Sequence, residues 1–277
     1  MELMDFQIVE FLEEVLKEDI GRGDWSRLIV GDRFGEGRVI AKSSGIIGGM
    51  EYIRRFEKLA KLRIIPRKKD GDRYEKGETI LQIEGSGRDI LTIERSLLNI
   101  LQSASGIASL TRKFVDISRG QLLILDTRKT RPRLRQFEKY AVRCGGGKNH
   151  RLGLDDCLML KDTHLALFGS ITEAIWRARE VLPFTMKIEV ECENVDMAEE
   201  ALEAGAEIVM CDNMSNGEIA QVVERRNRIA PQTLIEVSGN VTLERIPEII
   251  ELGADAISSG SLIHQATFKD FSMKLGG

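Results

Sequence analysis

The sequence predicts an α/β fold, an incomplete TIM-like α/β barrel of about six parallel strands with an α+β N-terminal domain. Two observations lead to this prediction. Beyond about residue 110, short apolar runs alternate with segments whose apolar residues recur at helical spacing, which is typical of a parallel sheet covered by helices. In addition, no G-x-G-x-x-G pattern follows any of these runs, which favours a barrel over a doubly wound sheet.

The first part of the chain has a different pattern, which indicates a small α+β domain. Apolar residues at helical spacing predict amphipathic helices over Glu2–Glu18 and Asp89–Gln102. Between these helices lie the turn-rich segment EDIGRGDWS and short predicted strands at 38–41, 46–47 and 79–84. We expect residues 1–108, joined by the C-terminal tail 268–277, to form this domain, and residues 109–267 to form the barrel.

The barrel strands are assigned to six apolar runs. The last four of these runs begin 20, 27 and 21 residues apart, which matches the length of βα units. The helical segments between them tend to end at a glycine, where helices commonly stop. The six predicted strands are residues 122–126, 157–161, 187–191, 207–212, 234–238 and 255–260.

Composition limits the classes of protein to which the chain can belong. Its apolar runs are far shorter than the ~20 residues that a membrane span needs. The acidic, amphipathic N-terminus does not fit a secretory signal. The four cysteines contain no C-x-x-C pair, so neither a disulfide framework nor a zinc cluster is indicated. We therefore expect a cytoplasmic protein without a membrane partner.

The most unusual local feature is a basic stretch. Between Arg128 and Arg151 nine Lys or Arg residues accompany one acid, Glu138, although the formal net charge of the chain is −4. Like charges this close destabilise a fold unless something neutralises them, so the stretch predicts an anionic ligand. A nucleic acid is disfavoured because the isoelectric point is about 5.7 and aromatic residues make up only 5%. We expect the segment 131–135, with three of these arginines, to be mobile until an anion binds.

A solvated helix face would be the simplest explanation of such a stretch. The glycine run 145–147, followed by Asn149 and His150, argues against it, because these are not ordinary surface residues. His150 also lies beside Arg151, which favours contact with a ligand.

Polar and charged residues follow every predicted strand. The carboxyl ends of barrel strands meet on one face, so these residues should surround one mouth. Small residues after the last two strands predict a phosphate site, although ordinary turn chemistry would also explain them: Ser238, Gly239, Asn240, Gly260 and Ser261. His264 follows Gly260 by one helical turn, near that phosphate.

Two carboxylates and four cations complete the predicted mouth. Glu191 and Asp212 lie on neighbouring strands and suit either Mg²⁺ or the hydroxyl groups of a sugar. His164 is interpreted as structural. The cations are Arg128, Lys129, Arg151 and Lys161. From the residues alone, the site predicts transfer chemistry on a phosphorylated sugar.

At these residues the chain resembles the quinolinate phosphoribosyltransferases, the carboxylating nicotinate-nucleotide pyrophosphorylases. The similar segments are LDTRKT, EKYAVRCGGGKNHRLGL, LKDTH, IEVECEN, MCDNMS, IEVSGNVTLERI and ISSGSLIHQA, in the family's order, together with EDIGRGD and ERSLLNILQSASGIAS. The resemblance covers nearly the whole chain. It implies that phosphoribosyl pyrophosphate and quinolinate react to give nicotinate mononucleotide, CO₂ and pyrophosphate, with Mg²⁺ as cofactor. It also implies a homodimer, or a higher oligomer, with shared active sites.

The resemblance also implies roles for individual residues. Quinolinate would be held by Arg128, His150, Arg151, Lys161 and, from the neighbouring subunit, Arg95. Phosphoribosyl pyrophosphate would be held by Lys129, Glu191, Asp212, Ser238, Gly239, Asn240, Gly260 and His264. Glu191 and Asp212 would also bind the metal, and the catalytic residues would be Lys129, Lys161, Glu191 and Asp212.

The chain departs from the family pattern at a few positions. It has TRPRLR where the family typically has TTPGLR, which adds Arg131 and Arg133. It also has Trp25-Ser26 where small Thr or Ser residues are usual, and Thr163 where Asn is common. No matched catalytic residue is lost. The alternatives are a molybdenum-associated paralogue of the same fold, a non-catalytic anion-binding paralogue, and a phosphosugar isomerase or lyase. The isomerase or lyase would need a lone acid–base pair rather than a ring of cations.

Overall fold

The computed structural model describes residues 5–31 and 33–276, and the chain divides into two units. The first unit comprises Met1–Leu110, Arg143–Gly146 and Gln265–Gly277, and the second comprises Thr111–Val142 and Gly147–His264. None of the helices in the described residues is long and apolar enough to cross a membrane.

The first unit is built on a four-stranded antiparallel sheet. Its elements are α1 (Asp5–Ile20), α2 (Ser26–Val30), β1 (Phe34–Ala41), β2 (Gly45–Ile46), α3 (Met50–Ile53), a 3₁₀ turn (Arg54–Lys58), β3 (Leu62–Pro66), β4 (Arg73–Tyr74), β5 (Thr79–Ser86), the start of α4 (Gly87–Ser118) and β12 (Phe271–Leu275). The sheet order is β12-β1-β5-β3, and β2 pairs separately with β4. The three strands predicted in this part fall within β1, β2 and β5. The predicted start of the first helix, at Glu2, lies outside the described residues.

Among the elements of the first unit that differ from the prediction, β3 and α4 have a clear physical reason. β3 lies within a basic segment and ends at Pro66, which a sheet tolerates here because β3 is an edge strand. Helix α4 continues to Ser118, well past the predicted end at Gln102, through the small residues SASGIAS. The reason is close packing: a Cβ on Gly106 would lie 2.2 Å from the carbonyl oxygen of Thr267. The small residues therefore serve close contact and do not end the helix.

The second unit alternates strands and helices as predicted. Its elements are the end of α4, β6 (Leu123–Leu125), α5 (Arg135–Cys144), β7 (Leu158–Leu160), α6 (Asp162–Leu165), α7 (Ile171–Val181), β8 (Ile188–Cys192), α8 (Val195–Glu203), β9 (Ile208–Asp212), α9 (Asn216–Ile229), β10 (Leu234–Ser238), α10 (Ile246–Leu252), β11 (Ala256–Ser258) and α11 (Ser261–His264). All six predicted strands are present, with ends that differ by at most two residues.

These six strands form one parallel sheet with the order β6-β11-β10-β9-β8-β7. The first strand pairs with the last, as in a closing barrel, and not with its successor β7. In the place of a further strand beside β6, Lys148 makes a single parallel bridge to Leu125. The predicted fold class, an incomplete barrel with an α+β part, is confirmed.

The register brings the polar strand ends to one level. Ser238 pairs with Asp212, and Glu236 and Glu191 both lie level with Met210. Because alternate residues of a strand share a face, Glu189 lies on the same face as Glu191, one step deeper. The ends of β8, β9 and β10 therefore present their acidic residues together.

Candidate active site

A cavity of about 550 Å³ lies at the carboxyl ends of the barrel strands, and its wall is formed by residues of β7 to β11 together with the segment that follows β6. Its lining contains eight of the predicted site residues: Arg128, Lys129, His150, Arg151, Lys161, Glu191, Asp212 and Ser238. The other lining residues are Thr127, Leu154, Met159, His164, Met210 and Ser258. The rule that barrel chemistry gathers at strand ends thus correctly brought these residues together.

Within the described residues, Arg128 forms no salt bridge with an acidic side chain. Its Nε is buried without a hydrogen-bond partner among the described residues. Burial lowers the pKa of the Arg128 guanidinium, and the nearby charges of Arg151 and Arg135 lower it further. A guanidinium whose pKa is lowered by neighbouring positive charges is stabilised when an anion binds beside it. This part of the wall therefore fits an acidic ligand.

Arg151 is oriented by the chain that leads into β7. Its guanidinium donates to the carbonyl oxygen of Cys157 at 2.9 Å and approaches the sulfur of Met159 at 3.5 Å. Neither partner carries a charge. The geometry fixes the guanidinium while leaving its positive charge uncompensated by these contacts.

His150 faces two buried carboxylates. Its Nε2 lies 3.1 Å from Glu189 Oε2 and 3.4 Å from Glu236 Oε2. Burial opposes a charge on the ring, yet the hydrogen bonds to Glu189 and Glu236 outweigh it and raise the pKa of His150 to about 10. Nδ1 accepts the Arg151 amide at 2.7 Å, a contact that requires an unprotonated Nδ1. The neutral ring that accepts this amide has its proton on Nε2, and the charged ring has a proton on both nitrogens. In either state the proton on Nε2 is directed at the carboxylates.

A buried ion pair anchors the loop that carries His150 and Arg151. Lys139 and Asp126, both fully buried, form this pair, and Lys139 also donates to the His150 carbonyl oxygen at 2.9 Å. Asp126 accepts the His150 amide at 3.0 Å and the Asn149 side chain at 2.5 Å. Burial raises the pKa of Asp126 and lowers that of Lys139, whereas their mutual attraction opposes both shifts.

The structural roles of Lys139 and Glu138 were not predicted from the sequence. Residues 137–142 of α5 are all buried, so a charged side chain in this stretch must find a partner inside the protein. The apolar residues around Glu138 and Lys139 in FEKYAV could have indicated that these two charges are buried. Two positive charges of the basic stretch are therefore neutralised inside the protein: Lys139 pairs with Asp126, and Arg131 pairs with Glu138.

The segment 131–135 is more firmly held than the sequence suggested. The backbone amide and the guanidinium of Arg131 both donate to the buried carboxylate of Glu138. Arg135 donates to Thr130 at 3.3 Å and to the Leu152 carbonyl oxygen at 3.1 Å. The expectation of mobility rested on unpartnered charges, and this premise is wrong for these two arginines.

The acidic pair lies at the ends of β8 and β9. Burial raises the pKa of Glu191, and the neighbouring charge of Asp212 raises it further, whereas Lys161 and Lys129 oppose the shift. Asp212 accepts the side-chain amide of Asn213 at 2.8 Å, and Asn213 in turn accepts that of Asn240 at 3.1 Å. Two carboxylates that repel each other attract a cation or hydroxyl donors.

The two glycines of the predicted phosphate site allow close approaches. Gly239 has φ +77°, and a Cβ there would lie 2.2 Å from Asn213 Oδ1. A Cβ on Gly260 would lie 3.0 Å from the Lys129 side chain and 3.2 Å from the His264 ring. Gly260 and His264 are therefore neighbours, as the sequence predicted, and Lys129 lies beside them. Arg95 is an exposed residue of α4 in the first unit.

Comparisons with known proteins agree with this geometry. Residues 24–105 match the quinolinate phosphoribosyl transferase N-terminal domain, and residues 107–274 match the C-terminal domain of the same family. The chain belongs to the quinolinate phosphoribosyl transferase family. The resemblance seen in the sequence is confirmed over nearly its whole length.

Individual family members are similar over nearly the full chain. A probable carboxylating nicotinate-nucleotide pyrophosphorylase of Bacillus subtilis is 41% identical over 272 residues, covering 96% of this chain and 93% of its own. The crystal structure of NadC from Streptococcus pyogenes has a TM-score of 0.91 at 42% identity, with 100% and 99% of the two chains covered. A NadC deletion mutant has a TM-score of 0.94 at 43% identity, with the same coverage.

Proposed function

We propose that this family member transfers the phosphoribosyl group of phosphoribosyl pyrophosphate to quinolinate, with decarboxylation, to give nicotinate mononucleotide, CO₂ and pyrophosphate. The observation that carries the proposal is one cavity with uncompensated cations on one side and the repelling carboxylates Glu191 and Asp212 on the other. The Bacillus relative is named as carboxylating. This name favours quinolinate, an acid with a carboxylate to lose, over the substrates of the alternative paralogues.

Arg128, Arg151 and Lys161 hold the two carboxylates of quinolinate in this proposal. Arginine suits the task because its planar donors pair with a carboxylate in two parallel hydrogen bonds. The unpartnered Nε of Arg128 supplies one such donor. Holding both carboxylates orients the pyridine nitrogen toward the ribose carbon that it attacks.

The other substrate lies between Lys129 and the acidic pair. Loss of pyrophosphate from the ribose passes through an oxocarbenium-like state, so cations must stabilise the departing charge. Lys129 lies beside the loop of Gly260 and His264, where we place the 5-phosphate together with Ser238, Gly239 and Asn240. Glu191 and Asp212 then face the ribose, whose hydroxyls and developing positive charge they stabilise.

Decarboxylation follows from the same positioning. Once the pyridine nitrogen is alkylated, the ring can accept the electron pair of the bond to the adjacent carboxylate. That carboxylate leaves as CO₂, and the ring carbon takes a proton. The chain contributes orientation and electrostatics, with Lys129, Lys161, Glu191 and Asp212 touching the reacting groups.

Mg²⁺ fits the donor set of this site. Glu191 and Asp212 offer carboxylate oxygens, which Mg²⁺ prefers, and their mutual repulsion is relieved by a cation. The ion would supply charge stabilisation to pyrophosphate, with these two residues holding it. Replacing Glu191 by Gln should raise the Mg²⁺ concentration needed for half-maximal activity. An unchanged Mg²⁺ dependence would remove Glu191 from the metal site.

The active unit in this proposal is a homodimer in which Arg95 reaches the partner's site. The exposed apolar side chains Trp25, Leu28 and Ile29, around α2 of the first unit, support an interface. Mixing two inactive variants, Arg95→Ala and Arg128→Ala, under conditions of subunit exchange should restore about one quarter of the sites. No recovery on exchange would mean that Arg95 acts within its own subunit.

The reaction itself is tested with purified protein, phosphoribosyl pyrophosphate and Mg²⁺. Quinolinate labelled in the carboxylate next to the nitrogen should release labelled CO₂ and yield nicotinate mononucleotide. Nicotinate in its place should give no product. Turnover of nicotinate, or of neither acid, would refute the proposed function.

A further inference from the structure

The loop between β6 and α5 contains a strained turn, closed by the Leu134 amide, which donates to the Arg131 carbonyl oxygen at 3.1 Å. Within this turn Pro132 is followed by Arg133, whose φ is +66°. Such a pair is the pattern of a type II turn, whose left-handed position normally holds glycine or asparagine. An arginine there is strained because its Cβ lies close to the following carbonyl oxygen. Since glycine would form the same turn without strain, the outlier indicates a function of the arginine side chain.

The turn projects from a fixed base. The Arg135 guanidinium donates to the Thr130 hydroxyl at 3.3 Å, which closes the loop at its neck. Glu138 accepts both the amide and the guanidinium of Arg131. By contrast, the exposed side chain of Arg133 has neither a hydrogen bond nor an ion pair within the described part of the chain. Of the three arginines in this segment, Arg133 is therefore the one whose charge is open to a ligand.

Arg133 lies close to the cavity along the chain on both sides of the loop. The loop leaves the cavity wall at Lys129, and the four residues to Arg133 span at most about 14 Å. On the other side, Arg135 donates to the Leu152 carbonyl oxygen at 3.1 Å, and the chain joins the cavity wall again at Leu154. Because both sides of the loop adjoin the wall, the turn carries Arg133 at the rim of the cavity.

The leaving pyrophosphate has few cations assigned to it. In the proposed function three cations face the carboxylates of quinolinate, whereas Lys129 alone faces pyrophosphate, beside the Mg²⁺ that the acidic pair holds. When the bond to the ribose carbon breaks, its electron pair stays on the pyrophosphate oxygen, so the negative charge of the leaving group grows. We propose that Arg133 binds the pyrophosphate group of phosphoribosyl pyrophosphate and stabilises it as it leaves. The proposal rests on the proposed function, because it requires phosphoribosyl pyrophosphate to be the donor.

Calorimetric titration with inorganic pyrophosphate and Mg²⁺ tests the proposal on the whole protein without turnover. Arg133→Gly and Arg133→Asn keep the turn and remove the charge. Each should raise the dissociation constant of pyrophosphate about 10-fold, which is the usual effect of losing one charge-assisted hydrogen bond. Arg133→Lys keeps the charge and should stay within about 3-fold of the wild-type dissociation constant.

Steady-state kinetics assigns the effect to one substrate. Arg133→Gly should raise the KM for phosphoribosyl pyrophosphate about 10-fold and leave that for quinolinate within about 2-fold. Arg119→Gly is the matched control, because Arg119 is also an exposed arginine with a positive φ, +49°, but precedes β6, at the end of that strand opposite the cavity. It should change neither KM by more than about 2-fold. Because glycine relieves the strain, neither exchange should lower the midpoint of thermal unfolding.

Two results would overturn the inference. Glycine and asparagine variants that bind pyrophosphate as tightly as the wild type would leave Arg133 as a solvated surface residue. A rise confined to the quinolinate KM would place Arg133 at the other substrate. Wild-type protein that does not consume quinolinate would instead refute the proposed function, whatever Arg133→Gly does to pyrophosphate binding. The two failures are therefore distinguishable.

Discussion

The buried pair between Lys139 and Asp126 makes the most quantitative prediction. Lys139→Met keeps most of the side-chain volume but removes the charge that faces Asp126 and the hydrogen bond to the His150 carbonyl oxygen. Breaking a buried ion pair by removing one partner typically costs about 3–5 kcal/mol. Asp126 keeps its bonds from Asn149 and from the His150 amide, so the destabilisation comes mainly from its unpaired charge.

Protonation of Asp126 limits this cost. From the ordinary aspartate pKa of 3.8, neutralising the carboxyl at pH 7 costs about 1.36 × (7 − 3.8), or roughly 4.4 kcal/mol. The lost hydrogen bond adds about 1 kcal/mol. Together these two contributions set an upper limit of about 5.4 kcal/mol at pH 7, in line with the ~3–5 kcal/mol typical of a broken buried ion pair, and a urea titration followed by circular dichroism can resolve a loss of this size.

The pH dependence gives the sign of the effect. Burial raises the pKa of Asp126, and removing Lys139 removes an attraction that opposes this shift. The folded variant then binds a proton that the unfolded chain, with the lower pKa, releases. Such a group stabilises the fold at low pH and loses that contribution as pH rises through the folded-state pKa. The deficit of Lys139→Met should shrink by up to about 1.4 kcal/mol per pH unit as pH falls from 8 to 6.

The controls test the cause of the deficit. Lys113→Met removes an exposed lysine of α4 and should leave stability within about 0.5 kcal/mol. Adding Asp126→Asn to Lys139→Met should abolish the pH dependence. A deficit below about 1 kcal/mol, or one independent of pH between 6 and 8, would refute the conclusion that the charge of Asp126 depends on Lys139.

Three further variants test particular contacts. Arg128→Ala should raise the quinolinate KM at least ~100-fold or abolish turnover, because the charge pair between Arg128 and a quinolinate carboxylate is lost, and a near-wild-type kcat/KM would contradict the assignment. Gly260→Ala should raise the KM for phosphoribosyl pyrophosphate but not for quinolinate, because its Cβ would push on Lys129 and His264; equal effects on both substrates would argue against a phosphate site there. Gly106→Ala should destabilise the protein by about 1–3 kcal/mol in chemical unfolding, because its Cβ would meet the Thr267 carbonyl oxygen, and an unchanged stability would contradict the close packing of α4.

The barrel and its cavity could be predicted from the sequence because both depend on local patterns. Apolar runs at βα spacing locate the strands, and the residues that follow each run meet at one face by topology alone. This rule placed Arg128, Lys161 and Asp212 in one cavity before any contact was known. The prediction for helix α4 ended too early, because the small residues that follow Gln102 show no apolar periodicity, although they favour close packing.

The buried contacts of Glu189 and Glu236 with His150 could not be predicted in the same way. Alternation along β8 indicated that Glu189 and Glu191 share a face, but not that Glu189 is fully buried against an imidazole 39 residues earlier in the chain. Nothing in the sequence of β10 distinguishes Glu236, and its contact with His150 depends on the register of β10 with β9. Such long-range pairs are fixed only when the barrel closes, so local patterns do not reveal them.

The paired charges explain why other cations of the basic stretch remain available to a ligand. Lys139 and Arg131 are held by Asp126 and Glu138, and these contacts fix the segments on either side of Arg128. Arg128 itself is left beside other cations, which lower its pKa. A more flexible loop could relieve this repulsion by turning toward solvent or nearby acids. Because the internal pairs prevent such a rearrangement, the remaining positive charge is best neutralised by an anion that enters the cavity.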